Sequence, residues 1–204
     1  MSEQAPFEGA SWDAVGFLTA QHRQVEDLWQ RLEGSGGILP DGRRLDLARR
    51  IVKALSVHTG IEQQLLYPAV RDSLTDGGKL ADRSLEDHHH QAKRLGHLDG
   101  LGPEEPGFEH GFAQLMAEVR HHVMEEEQEI FPKLQGALGD VRMAQLAGRM
   151  DMLVRMAPTR PHPMAPQTPP ANRLTGPVSA MVDRARDVVR PRAYSEKMSH
   201  PPER

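Results

Sequence analysis

The chain has 204 residues, 38% of them hydrophobic, 26% charged and none cysteine, with a formal net charge of −4. That length and apolar content suit one domain with a sizeable core plus a tail. The missing thiols exclude disulfides, zinc-thiolate sites and iron–sulfur clusters. The charge is uneven: residues 158–204 hold eight Lys and Arg against four Asp and Glu, which leaves −8 on the first 157 residues. An acidic body argues against nucleic-acid binding by that part. No basic, apolar leader opens the chain and no apolar run approaches membrane-spanning length, so the sequence reads as a cytoplasmic protein without a membrane segment.

Residues 1–10 read as a disordered start. Ser11 is placed to cap a first helix carrying Val15, Leu18, His22, Val25, Trp29 and Leu32 at helical spacing. Residues 34–37, Gly-Ser-Gly-Gly, end it. Asp41 can cap a second helix with Ile51, Leu55, His58, Glu62, Leu65 and Ala69 on one stripe. Gly77 and Gly78 break the chain again, and a third helix follows over about 79–99 with Leu85, His89 and Ala92 in register. After a Gly- and Pro-containing loop, a fourth helix carries Phe112, Leu115, Val119, His122, Glu126 and Ile130. A shorter fifth covers roughly 138–157. No segment alternates as a half-buried strand must. The expected fold is all-α, an up-down-up-down four-helix bundle over residues 11–157. Residues 158–204 hold ten of the 16 prolines and read as a mostly disordered tail, with one amphipathic stretch at 178–189 able to form a short helix.

One segment occurs twice. His-Thr-Gly-Ile-Glu-Gln-Gln-Leu-Leu-Tyr-Pro over residues 58–68 is echoed by His-Val-Met-Glu-Glu-Glu-Gln-Glu-Ile-Phe-Pro over residues 122–132. The shared skeleton is His, three residues, Glu, then an aliphatic, an aromatic and a proline. His and Glu four apart lie on one helix face. Pro68 and Pro132 each lack an N–H and crowd the carbonyl one turn back, so both helices should bend or end one to two turns past their Glu. The repeat extends upstream. Leu18, His22, Val25 and Leu28 have the spacing of Leu85, His89, Ala92 and Leu95, with each His followed by a His-x-x-x-Glu unit 36 or 33 residues on. This alignment favours His89 over His88 as the inward residue of the third helix. His88, His90 and His121 are left as surface or outer groups, and Glu125, Glu127 and Glu129 as a solvated acidic face, with Glu125 or Glu129 as the alternatives for a place near the site.

A lone His on an apolar face is usually a core residue. Four inward His with two inward Glu are different, because each buried, unpaired carboxylate costs several kcal/mol and a pair of divalent cations offsets that cost. The candidate metal ligands are therefore His22, His58, Glu62, His89, His122 and Glu126. Nitrogen and carboxylate donors without sulfur suit iron, manganese or zinc. Two imidazoles and shared carboxylates per ion leave coordination positions open.

These residues resemble the hemerythrin-like (HHE cation-binding) family: one His, then His58-x-x-x-Glu62 leading to Tyr67-Pro68, then Asp87-His88-His89-His90 leading to Leu95, then His122-x-x-x-Glu126 leading to Ile130-Phe131-Pro132. The resemblance implies two iron ions bridged by the two carboxylates and an oxo or hydroxo group, with manganese or zinc less favoured. It also implies a small ligand such as dioxygen, peroxide or nitric oxide. The chain departs from oxygen-carrying members at Lys93, where they have a second His, and at Glu126, which follows its His by four rather than five residues. Reversible oxygen carriage is thereby disfavoured against sensing or peroxide chemistry. Four readings stay open: ligand binding or sensing, catalase- or peroxidase-like turnover with Tyr67 or Tyr194 as the redox phenol, an iron- or oxygen-responsive module acting through the tail, and a structural zinc site. The electron donor and any tail-binding protein are unspecified.

Overall fold

The computed structural model describes residues 13–35 and 37–154. The expected cap at Ser11, the tail at 158–204 and its helix at 178–189 lie outside them. The described elements are α1 (Ala14–Glu33), α2 (Asp41–Ile61), a π-helical turn (Glu62–Leu66), α3 (Tyr67–Ser73), α4 (Gly77–Leu98), α5 (Phe108–Glu125), a second π-helical turn (Glu126–Ile130) and α6 (Phe131–Val154). No strand occurs among the described residues. Because α2, its π turn and α3 run on without interruption, as do α5, its π turn and α6, the elements form four long rods, up-down-up-down, with the all-α architecture read from the sequence.

Local chemistry sets the ends. Asp13, not Ser11, caps α1: its carboxylate accepts from the Gly16 N–H at 2.8 Å. Asp41 does not cap α2. Pro40 occupies that position, and Asp41 sits in the first turn, where it pairs with Arg44 at 3.3 Å. Gly77 opens α4 rather than breaking the chain, because a Cβ there would lie 2.1 Å from the Val70 carbonyl oxygen and only glycine allows that approach to α3. Gly139, at φ 69°, splits α6. The half after it puts Met143, Leu146 and Met150 into one apolar cluster with Ala14, Phe17 and Leu18 of α1, and corresponds to the fifth helix expected at 138–157.

Pro68 and Pro132 do not end their helices. Each helix widens by one residue instead, so that the Tyr67 N–H bonds the Glu62 carbonyl and the Phe131 N–H bonds the Glu126 carbonyl. The wider turn makes room ahead of the proline ring, and the helix resumes past it. Both π turns begin at the Glu of a His-x-x-x-Glu unit, so the sequence repeat is also a backbone repeat.

Two apolar clusters fill the bundle. One holds Leu18, Ile61, Leu66, Tyr67, Ile130 and Phe131. The other holds Val25, Leu55, Leu95, Phe112, Leu115 and Val119. Between them in chain order lie His22, His88 and Glu126 on three of the rods, and Glu62 follows Ile61 on the other; together they form a buried polar layer.

Candidate metal centre

Each long rod contributes to this layer. His22 comes from α1, His58 and Glu62 from α2 and its π turn, His88 from α4, and His122 and Glu126 from α5 and its π turn. All six are at least 95% buried and both glutamates are completely so. The structure brings together five of the six residues expected to ligate a metal. It does not bring His89, which is half-buried outside the layer and edge-on to His90. His88, 1% exposed, takes the inward place. The buried stripe of α4 runs Gly77, Leu80, Ala81, Ser84, His88, Gln91, Leu95 and Leu98, and Leu85 is only half-buried. Ser84 and Gln91 are polar yet inside, so matching apolar neighbours one position along selected the wrong histidine.

The imidazoles meet in pairs through their Nε2 atoms. Those of His22 and His58 are 3.1 Å apart, and those of His88 and His122 are 3.0 Å apart. Two nitrogens each about 2.1 Å from one ion, at right angles, are separated by about 3.0 Å. The carboxylates span the pairs. Glu62 turns Oε1 to His58 at 3.0 Å and Oε2 to His88 at 3.3 Å. Glu126 turns Oε2 to His22 at 3.5 Å and Oε1 to His122 at 3.7 Å. Two ligand groups result: His22, His58, Glu62 and Glu126, and Glu62, His88 and His122.

Orphaned atoms decide whether a metal fits. Both Glu62 oxygens and Oε2 of Glu126 are buried with no hydrogen-bond donor. His58 Nε2 stands 3.0 Å from Glu62 Oε1 at ion-pair range. Leaving such groups bare costs several kcal/mol, and a cation at each imidazole pair would use every one of these lone pairs. The residues fit a pair of metal ions.

The hemerythrin HHE cation-binding domain model matches residues 13–134, which covers most of the bundle. The chain belongs to this family. Two curated proteins show what else it resembles. An uncharacterized hemerythrin-like protein of Schizosaccharomyces pombe is 25% identical over 173 residues, 82% of each chain. A DNA nickase of Nostoc is 28% identical over 132 residues, 64% of this chain, which spans only 36% of that protein's length. A hemerythrin HHE cation-binding domain-containing protein from Mycobacterium kansasii shares the fold at a TM-score of 0.59 and 22% identity, over 70% of this chain and 85% of that one. Family membership and the buried His and Glu cluster together make this a metal-binding helical bundle.

Around this family site lie residues that single-sequence reasoning passed over. His22 Nδ1 is 2.8 Å from Glu127, His58 Nδ1 is 2.9 Å from Gln21, His88 Nδ1 is 3.4 Å from the Gln63 amide and His122 Nδ1 is 3.5 Å from Asp87. Glu127 is thus no simple surface acid, whereas Glu125 and Glu129 pair with Arg83 on the outside. The available signal was position: Gln21, Gln63, Asp87 and Glu127 each adjoin a ligand-bearing residue in the sequence. Tyr67 is also central. Its hydroxyl donates to Glu126 Oε1 at 2.9 Å and lies 3.1 and 3.3 Å from the Nε2 atoms of His88 and His122. Burial, reinforced by the Glu126 and Glu62 carboxylates, raises its pKa well above the usual phenol range, so it remains a donor. Tyr194 is outside the described residues.

Burial pulls the His122 pKa down, but the carboxylates of Glu126, Asp87 and Glu62 overcome it and raise it to about 9. A metal needs the neutral imidazole, so ion uptake at pH 7 should displace the His122 proton and tighten as pH rises. Calorimetric titration of metal-free protein in two buffers of different ionisation enthalpy measures that release. Identical heats in both buffers would contradict it.

Proposed function

We propose that the protein binds two iron ions in this layer and through them binds or senses dioxygen, peroxide or nitric oxide. The observation that carries the reading is the spanning of two histidine pairs by two buried carboxylates, each with one oxygen toward each pair. Imidazole and carboxylate donors without sulfur support iron, with manganese or zinc as less favoured occupants. Bound iron would supply an open Lewis-acidic and redox-active position for a small oxygen or nitrogen ligand. The chain's own contribution is to orient four imidazoles, to exclude water with the flanking apolar clusters, and to hold a hydroxyl proton on Tyr67 beside the His88 and His122 pair.

That hydroxyl favours a second reading, a peroxide-decomposing, catalase-like enzyme. A buried donor 2.9 Å from Glu126 Oε1 is placed to give a proton or hydrogen bond to an oxygen ligand at the second pair. Regulation through residues 158–204 concerns a segment outside the described residues. The partial likeness to a DNA nickase does not carry nicking here, since the shared stretch is a minor part of that protein and this body is acidic.

The test begins with metal analysis of natively purified protein. Anaerobic iron loading is then followed by separate exposure to air, peroxide and nitric oxide, with near-ultraviolet and visible spectra recorded after each. About two irons per chain and a spectral response to at least one ligand are expected. Two bound irons with no response to any of them would sink the reading. Oxygen evolution from peroxide that falls in Tyr67→Phe would select the enzymatic version.

A further inference from the structure

The four imidazoles are alike at Nε2 and differ at Nδ1. At the His22 and His58 pair both outer nitrogens are hydrogen-bonded at short range, His22 to Glu127 at 2.8 Å and His58 to Gln21 at 2.9 Å. Glu127 is itself fixed, because Arg23 holds its second oxygen at 2.8 Å. The His22 ring also stacks on Phe131, with centroids 5.9 Å apart and planes 6° from parallel. At the His88 and His122 pair the outer contacts are loose. His122 Nδ1 has no hydrogen-bond partner, Asp87 standing 3.5 Å away at ion-pair range. His88 Nδ1 is 3.4 Å from the Gln63 amide. This side adjoins solvent: Asp87 and Gln91 line an open groove between α4 and α5 of about 720 Å³.

An outer partner fixes the ring orientation and tautomer of a ligating His and raises its basicity, which changes metal affinity by about 10–100-fold. A ring already held also loses less freedom when it ligates. The contacts at 2.8 and 2.9 Å fix both rings of the first pair, and those at 3.4 and 3.5 Å hold the rings of the second less closely. We infer that the two metal positions are unequal: the His22 and His58 position retains its ion, the His88 and His122 position releases and reloads first, and Glu127 is the positioning residue that sets the difference. The inference rests on the two-ion reading above.

Cobalt(II) serves as the probe because it binds such donors and reports them by its visible spectrum. The full chain, loaded to two cobalt ions, is mixed with excess chelator and the remaining ions are counted over time. The expected course is two phases of one ion each, with rates about 10–100-fold apart. Glu127→Ala should speed the slow phase until the two merge. Glu127→Gln should restore it in part, since the amide oxygen still accepts from Nδ1. His88→Ala should remove the fast ion and leave the slow one with its cobalt spectrum, which keeps the assignment testable even where Glu127→Ala folds poorly. Single-phase loss of both ions from the unaltered protein, or a slow phase untouched in Glu127→Ala, overturns the inference. Fewer than two cobalt ions before chelation instead overturns the two-ion reading, and this inference with it.

Discussion

Glu62→Gln is expected to lower the metal content from two ions per chain to one or none, and to remove much of the heat stability that metal confers. Glu62 is fully buried, faces both histidine pairs, and has neither oxygen hydrogen-bonded. Two divalent cations side by side set four positive charges against the two negative charges of Glu62 and Glu126. The amide keeps the shape and removes one of those two anions. At a free metal concentration a thousandfold above its dissociation constant, each ion contributes about 4 kcal/mol to folding. For a chain of this size that is a rise in Tm on the order of 10 °C. Scanning calorimetry of the protein and the variant, each with and without iron or cobalt, measures the loss. An undiminished metal-induced rise in Glu62→Gln would mean that the carboxylate does not bridge.

His88→Ala and His89→Ala should part sharply. The first removes an Nε2 that lies 3.0 Å from that of His122 and 3.3 Å from Glu62, and should cost the ion at that pair. It also empties a fully buried space, so the fold itself should lose on the order of 2 kcal/mol. The second alters a half-buried ring outside the layer and should leave metal content at the unaltered level. Metal content of both purified variants, with circular dichroism as a check on folding, decides between the two registers. Metal loss in His89→Ala with retention in His88→Ala would restore the register drawn from the apolar spacing.

How much was legible follows from the same residues. The helices could be read because each is long and has an apolar stripe of helical period, and Gly34 and the loop before Phe108 punctuate them. His58, Glu62, His122 and Glu126 could be read because a His-x-x-x-Glu unit fixes its own geometry: four residues apart on a helix is one face, whatever the helix packs against. His22 could be read because leucines and valines surround it. His88 could not, because α4 turns Ser84 and Gln91 inward, and a polar residue in a core stripe is invisible to a hydrophobic pattern.

The sequence by itself determined the all-α class, the doubled ligand unit and five of the six inward residues, since local spacing along a helix carries all of that. Only the tertiary structure decided which of His88 and His89 faces inward, that Glu127 and Asp87 stand behind histidines from other rods, and that Tyr67 reaches Glu126. These are relations between rods. They depend on how each rod is rotated about its axis, and on π turns at Glu62 and Glu126 that shift the register by one residue. Packing the whole bundle settles that rotation, and no single helix holds the information.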